Sequence, residues 1–178
     1  MEALAASREL VTSAVGGDAQ AFELLLDPLW DPAHRLAFSM LGEQQSAEDA
    51  VQEAALKAWR NVRRLRPETQ TLRPWFLTIV ANQCRSMRRS PWWRVVRLAD
   101  PPERTSLDRD ADGRIELERA LRVLPYDQRL SLVLRYFLDL PMDEVALVLA
   151  ISVSAAKSRV RRALKALEPA VAALGEEP

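Results

Sequence analysis

The sequence predicts an all-α fold, two small helical modules joined by a linker, on three observations. Apolar residues recur at intervals of three and four, the period of a helix face, while the alternation of a half-buried strand is almost absent. Glycine is confined to Gly16, Gly17, Gly42, Gly113 and Gly175, so long stretches run without a breaker. Near the middle, Pro91, Pro101 and Pro102 interrupt any helix, and Asp100, Glu103, Asp108, Asp110 and Asp112 turn the composition acidic. The expected organisation is a first module over 1–90, a linker over 91–112 and a second module over 113–178.

With 178 residues the chain can bury a core without covalent staples. Cys84 is the single cysteine and His34 the single histidine, which excludes an internal disulfide framework and a Cys/His zinc cluster. No nucleophile, metal cluster or phosphate-binding glycine loop stands out, so no cofactor and no catalysis are expected. No apolar run approaches the roughly 20 residues of a membrane span, and the first residues lack a basic segment followed by an apolar block. The chain reads as cytoplasmic, without membrane insertion.

The charges balance overall, 25 basic against 25 acidic, but not locally. Residues 57–97 hold eleven basic side chains and one acid, Glu68, whereas before Lys57 only Arg8 and Arg35 oppose ten carboxylates. That local asymmetry, and not the zero net charge, is the signal for a nucleic-acid partner.

In the first module an opening helix ends at Gly16-Gly17, and Asp18 caps the next. Pro28 and Pro32 are expected to kink or split that second helix before it resumes to Met40 and stops at Gly42. Ser46 opens an amphipathic helix over 46–62 that turns Val51, Ala55, Ala58, Trp59 and Val62 inward and leaves Glu48, Asp49, Gln52 and Glu53 as an acidic face. A proline-bearing loop over 61–70 offers Asn61, Arg63, Arg64 and Arg66. The helix over 74–89 buries Leu77, Val80, Cys84 and Met87, with Trp75, Phe76 and Ile79 adding apolar bulk, and places Thr78, Asn82, Arg85 and Arg89 on another face. On that stripe Cys84 reads as a core thiol, and His34 is assigned no role.

In the second module helices are expected over 114–123, 127–138, 142–149 and 153–167. Val145, Ala146 and Leu149, then Ala156, Val160, Leu164 and Leu167, define two short helices with facing apolar stripes across a three-residue turn. Ala146 allows close approach, and Ala156 follows at the ten-residue spacing of a helix-turn-helix. Ser152 is placed to cap the second helix. Its outer face carries Ser154, Lys157, Ser158, Arg161 and Lys165, flanked by Arg159 and Arg162, all donors for phosphates or base edges.

With Leu124-Pro125-Tyr126-Asp127-Gln128-Arg129 upstream and Lys157-Ser158-Arg159 within it, this segment resembles region 4 of the sigma-70 family, the part of a bacterial sigma factor that binds the promoter minus-thirty-five element. The resemblance implies that Ser154, Lys157, Ser158, Arg161 and Arg162 meet that element. Two departures are Ala150, where the family usually has glycine, and Ala155-Ala156, where a threonine and a larger apolar residue are commoner. Upstream, Ala47-Glu48-Asp49-Ala50-Val51-Gln52-Glu53 through Ala58-Trp59-Arg60 resembles region 2.2 of the extracytoplasmic-function (ECF) sigma factors. By that resemblance Glu48, Asp49, Gln52 and Glu53 dock on the clamp helices of the polymerase beta-prime subunit, and the beta flap is a further polymerase contact. Pro74-Trp75-Phe76 through Asn82-Gln83-Cys84-Arg85 to Arg88-Arg89 resembles regions 2.3 and 2.4, which implies that Asn82, Arg85, Arg88 and Arg89 contact melted minus-ten DNA. The loop carrying Asn61, Arg63 and Arg64 corresponds to the segment that accepts a base flipped out of the stack.

The linker adds Trp92-Trp93, which call for packing against a module or contact with polymerase or an anti-sigma factor. The reading is an ECF-type sigma factor that binds core RNA polymerase and promoter DNA and is open to control by an anti-sigma factor. The alternative is a sigma-like interaction protein that sequesters an anti-sigma factor; a dimeric repressor would leave the region 2 resemblance unexplained.

Overall fold

The structure, a computed structural model, describes residues 2–64, 72–90, 120–121 and 123–174, with side chains over 9–64, 72–90, 120–121 and 123–169. Among the described residues the regular structure is helical throughout, as the apolar period requires. The chain divides into two compact units, Met1–Ser86 and Met87–Pro178.

The first unit begins with α1 (Glu2–Val15) and, after Gly17 at φ +101°, α2 (Ala19–Leu41). The Asp18 carboxylate accepts hydrogen bonds from the Gln20 and Ala21 amides at 2.9 and 3.2 Å, which caps α2 as expected. Contrary to expectation, Pro28 and Pro32 do not split this helix; both lie inside one continuous element. Each proline removes one backbone bond at a cost of about 3 kcal/mol, but the opposite face buries Leu25, Leu26, Leu29, Ala33, Leu36 and Ala37, and that burial outweighs the loss. Gly42, at φ +76°, ends the helix by donating its amide to the Phe38 carbonyl at 2.7 Å.

Helix α3 (Gln44–Asn61) starts earlier than Ser46, because Glu43 is the cap. Its carboxylate accepts from the amides of Gln45 at 2.8 Å and Ser46 at 2.6 Å. The buried stripe is also rotated from the expected one. Ala47, Ala50, Val51, Ala54 and Ala58 lie inside, with Val62 beyond the helix end, whereas Ala55 and Trp59 stand at the margin. Four alanines let α2 approach closely, and Phe22 of α2 meets Trp59 with ring centroids 5.1 Å apart. A 3₁₀ turn (Val62–Arg64) follows, and α4 (Leu72–Arg89) buries Phe76, Leu77, Val80, Ala81 and Cys84. Met87 is only half-buried.

In the second unit, the expected helix over 114–123 lies mostly outside the described residues; Ala120, Leu121 and Val123 are helical. Helix α5 (Tyr126–Leu132) then passes into a π-helical turn (Val133–Phe137). Phe137 faces outward, while Leu138 and Leu140 are buried after it. The π-turn shifts the register by one residue, which moves the apolar stripe off Phe137. Next come α6 (Met142–Leu149) and α7 (Val153–Leu174). Their core joins Ala120, Leu124, Leu132, Val160, Ala163 and Leu167. Leu164, expected on this stripe, is 41% exposed, and Ala163 takes the inner position. Helix α7 runs past the expected end at Leu167, through Pro169 to Leu174, over an alanine-rich stretch of high helix propensity.

Candidate nucleic-acid interface

The turn between α6 and α7 places the recognition surface. Ala150 adopts the left-handed conformation at φ +54°, ψ +45°, and the Ile151 amide reaches back to the Ala146 carbonyl at 3.1 Å. Ser152 then caps α7, its hydroxyl accepting from the Ala155 amide at 3.2 Å. With Val145, Ala146 and Ala156 buried between the two helices, the outer face of α7 carries Ser154, Lys157, Ser158, Arg161 and Arg162, all exposed. Lys165 is exposed beside them and Arg159 is half-buried. The face that the helical period turns outward in the sequence is the exposed one.

On α3, Asp49 and Gln52 are exposed and Glu48 and Glu53 half-exposed. Gln44 donates to the Glu48 carboxylate at 2.7 Å, Gln45 to Asp49 at 3.2 Å, and the Lys57 ammonium stands 3.8 Å from Glu53. Three carboxylates on two successive turns make a negative surface whose partly exposed ion pair is worth little to stability.

Between α3 and α4 lies a cleft of about 360 Å³ lined by Lys57, Asn61, Arg64, Trp75, Ile79, Asn82, Gln83 and Ser86. It brings together three of the expected minus-ten residues, Asn61, Arg64 and Asn82. Arg63 is exposed on the 3₁₀ turn, outside the lining, and Arg85, Arg88 and Arg89 follow further along α4. The Arg85 guanidinium donates to the Asn82 side-chain oxygen at 2.9 Å. Arg66 and Trp92-Trp93 lie outside the described residues.

Lys57, Trp75, Ile79 and Gln83 were not foreseen as site residues. Their signal was present: 75, 79, 82, 83 and 86 fall on one helix face, and 57 and 61 are one turn apart. Trp75 and Ile79 are half-buried, as a platform for a planar ligand requires, whereas adjacent Phe76 is fully buried. The cleft therefore combines an aromatic face, three side-chain amides and two cations, the groups that hold an unstacked base beside its phosphate.

Two helical units, one with a polar aromatic cleft beside an acidic helix and one with a basic helix-turn-helix, define a DNA-directed binding protein. Comparison with known proteins agrees in both halves. The Sigma-70 region 2 family profile matches residues 29–94, and the Sigma-70 region 4 profile matches residues 114–167. The chain is 31% identical over 135 residues to RNA polymerase sigma factor SigV of Bacillus subtilis, covering 74% of this chain and 80% of that one. It is 29% identical over 171 residues to ECF RNA polymerase sigma factor SigL of Mycobacterium tuberculosis, covering 93% and 97%. Among solved structures, CnrH in complex with the cytosolic domain of CnrY is similar at a TM-score of 0.71 and 26% identity, covering 94% of this chain and 98% of that one. The sigma factor RpoE of Bartonella quintana, solved with the anti-sigma factor NepR, shares the fold at a TM-score of 0.66 and 24% identity, covering 86% and 98%. The chain belongs to the sigma-70 family, in its ECF group. No helix among the described residues is long and apolar enough to cross a membrane.

Proposed function

We propose that this chain initiates transcription as a promoter-specificity subunit of RNA polymerase, without chemistry of its own, in the cytoplasm. The cleft between α3 and α4 carries this reading, because it places base-holding groups one helix turn from the acidic surface. Glu48, Asp49, Gln52 and Glu53 dock core polymerase through its beta-prime clamp helices. Asn61, Arg64 and Asn82 hold an unstacked base of the melted minus-ten strand, and Arg63, Arg85, Arg88 and Arg89 hold its phosphates. Ser154, Lys157, Ser158, Arg161 and Arg162 on α7 enter the major groove of the minus-thirty-five element, while the same module rests on the beta flap.

An anti-sigma factor is the second partner in this reading, supported by the anti-sigma factor NepR in whose complex the sigma factor RpoE of the same fold was solved. A chain that only sequestered such a factor would have no use for exposed cations on α7 or for the cleft. The test is co-elution of the purified chain with core polymerase. The wild type is expected to co-elute and a variant carrying Glu48→Lys, Asp49→Lys and Glu53→Lys to elute alone. Equal retention of both would remove the acidic face from the account.

A further inference from the structure

Lys57 belongs to two surfaces at once. It lines the cleft and donates to the Gln83 side-chain oxygen on α4, while the same ammonium stands 3.8 Å from the Glu53 carboxylate on the acidic face of α3. On that face Glu48 and Asp49 are held by the uncharged amides of Gln44 and Gln45, and Glu53 by the Lys57 cation. One ammonium therefore connects the acidic helix to the cleft.

The charges set the sign of that connection. A phosphate entering the cleft is attracted by the Lys57 ammonium and repelled by the carboxylate beside it, so Glu53 offsets much of the field that Lys57 projects there. A partner that docks on carboxylates brings cations to them. A cation placed on Glu53 cancels the repulsion and leaves the ammonium free to pair with the phosphate. Side chains that are 43% and 42% exposed are partly screened by water, so the gain is small, about threefold in affinity. Linkage makes it reciprocal: a strand held by Lys57 strengthens docking by the same factor.

We infer that Lys57 is a positioning residue that couples the two surfaces, its ammonium passing from Glu53 to a strand phosphate when polymerase docks on the acidic face. The Lys57 carbonyl, which accepts from the Asn61 side-chain amide at 2.8 Å, remains part of α3 in both states, so only the ammonium changes partner. The inference rests on the docking and strand-holding roles proposed above.

The probe is a fluorescent oligonucleotide carrying the non-template minus-ten strand of a promoter found by run-off transcription, and its affinity is measured for the full chain alone and for the holoenzyme. Glu53→Gln, which imitates a neutralised Glu53, is expected to raise the affinity of the chain alone by about threefold. Asp49→Asn removes the same charge one turn away without touching Lys57 and should give less than half that gain. In a Lys57→Met background Glu53→Gln should bring no gain, and the step in affinity from chain to holoenzyme should shrink by about threefold, whereas Lys57→Arg should keep both. A merely structural Lys57 would lower the affinities of chain and holoenzyme alike and leave the step unchanged. Equal gains from Glu53→Gln and Asp49→Asn, no gain from either, or an unchanged step in Lys57→Met would overturn the coupling while a holoenzyme that holds the strand keeps the proposed function. A holoenzyme that holds no strand would overturn the proposed function, and the inference with it.

Discussion

The Ile151 amide donates to the Ala146 carbonyl at 3.1 Å, and this bond closes α6 only because Ala150 between them turns left-handed. An L-residue with a Cβ pays roughly 1–2 kcal/mol for that conformation, and glycine avoids it at a smaller entropic loss. Ala150→Gly should therefore raise stability by roughly 0.5–1 kcal/mol in chemical denaturation. A destabilised variant would contradict the strain assigned to this turn.

Glu43 offers a pH-dependent contact. Partial burial pushes its carboxyl up, but the hydrogen bonds from Ser46 and Gln45 outweigh burial and hold it below its ordinary 4.5. A carboxyl lowered on folding stabilises the native state above its unfolded value, and that stability is lost as pH falls through the lowered native value. At neutral pH Glu43→Ala should cost on the order of 1 kcal/mol, as for loss of a helix cap. In melts taken toward about pH 3 the gap between wild type and variant should narrow. A gap that stays constant with pH would show that the charged cap contributes nothing.

Trp75 and Phe76 are neighbours with opposite expected phenotypes. Phe76 is 0% exposed, so Phe76→Ala should cost about 3–5 kcal/mol of stability. Trp75 lines the cleft, so Trp75→Ala should weaken single-strand binding by about 1–3 kcal/mol, read by fluorescence titration with an oligonucleotide. Its stability loss should be the smaller of the two. If Trp75→Ala left strand affinity unchanged, the cleft would lose its stacking platform.

On α7 the DNA contacts proposed for the exposed cations go to phosphates or to bases, and salt separates the two. Replacing a phosphate-binding Lys157 or Arg161 by alanine should lower the slope of log affinity against log salt by about 0.9 on duplex DNA. Each substitution is measured with the holoenzyme on promoter templates over a range of salt. Slopes identical to wild type for both would take these side chains off the DNA backbone.

The helix-turn-helix was legible because its evidence is local. Ala146 and Ala156 at fixed spacing, Ser152 before the second helix and cations at one-turn intervals are settled within a single short segment. The acidic face of α3 was legible for the same reason. The start of α3 was misplaced because a glutamate cap at Glu43 is a weaker sequence signal than Ser46. Pro28 and Pro32 misled because a local cost was overridden by tertiary burial of the opposite face. The expected helix over 127–138 did not foresee its π-turn, because such a turn shifts the helical register without any sequence mark. The cleft was half visible: Asn61, Arg64 and Asn82 came from the family resemblance, whereas Lys57 and Gln83 belong to it only through the pairing of α3 with α4.

The central claim is that one chain joins polymerase docking to promoter opening. Run-off transcription with core polymerase and the purified chain on fragmented genomic DNA tests it most directly. The account predicts transcripts that start downstream of a shared two-element promoter, are absent with core polymerase alone, and are lost when Lys157→Ala and Arg161→Ala are combined. A chain that binds core polymerase tightly yet opens no template across the genome would contradict it and favour the sigma-like sequestering protein.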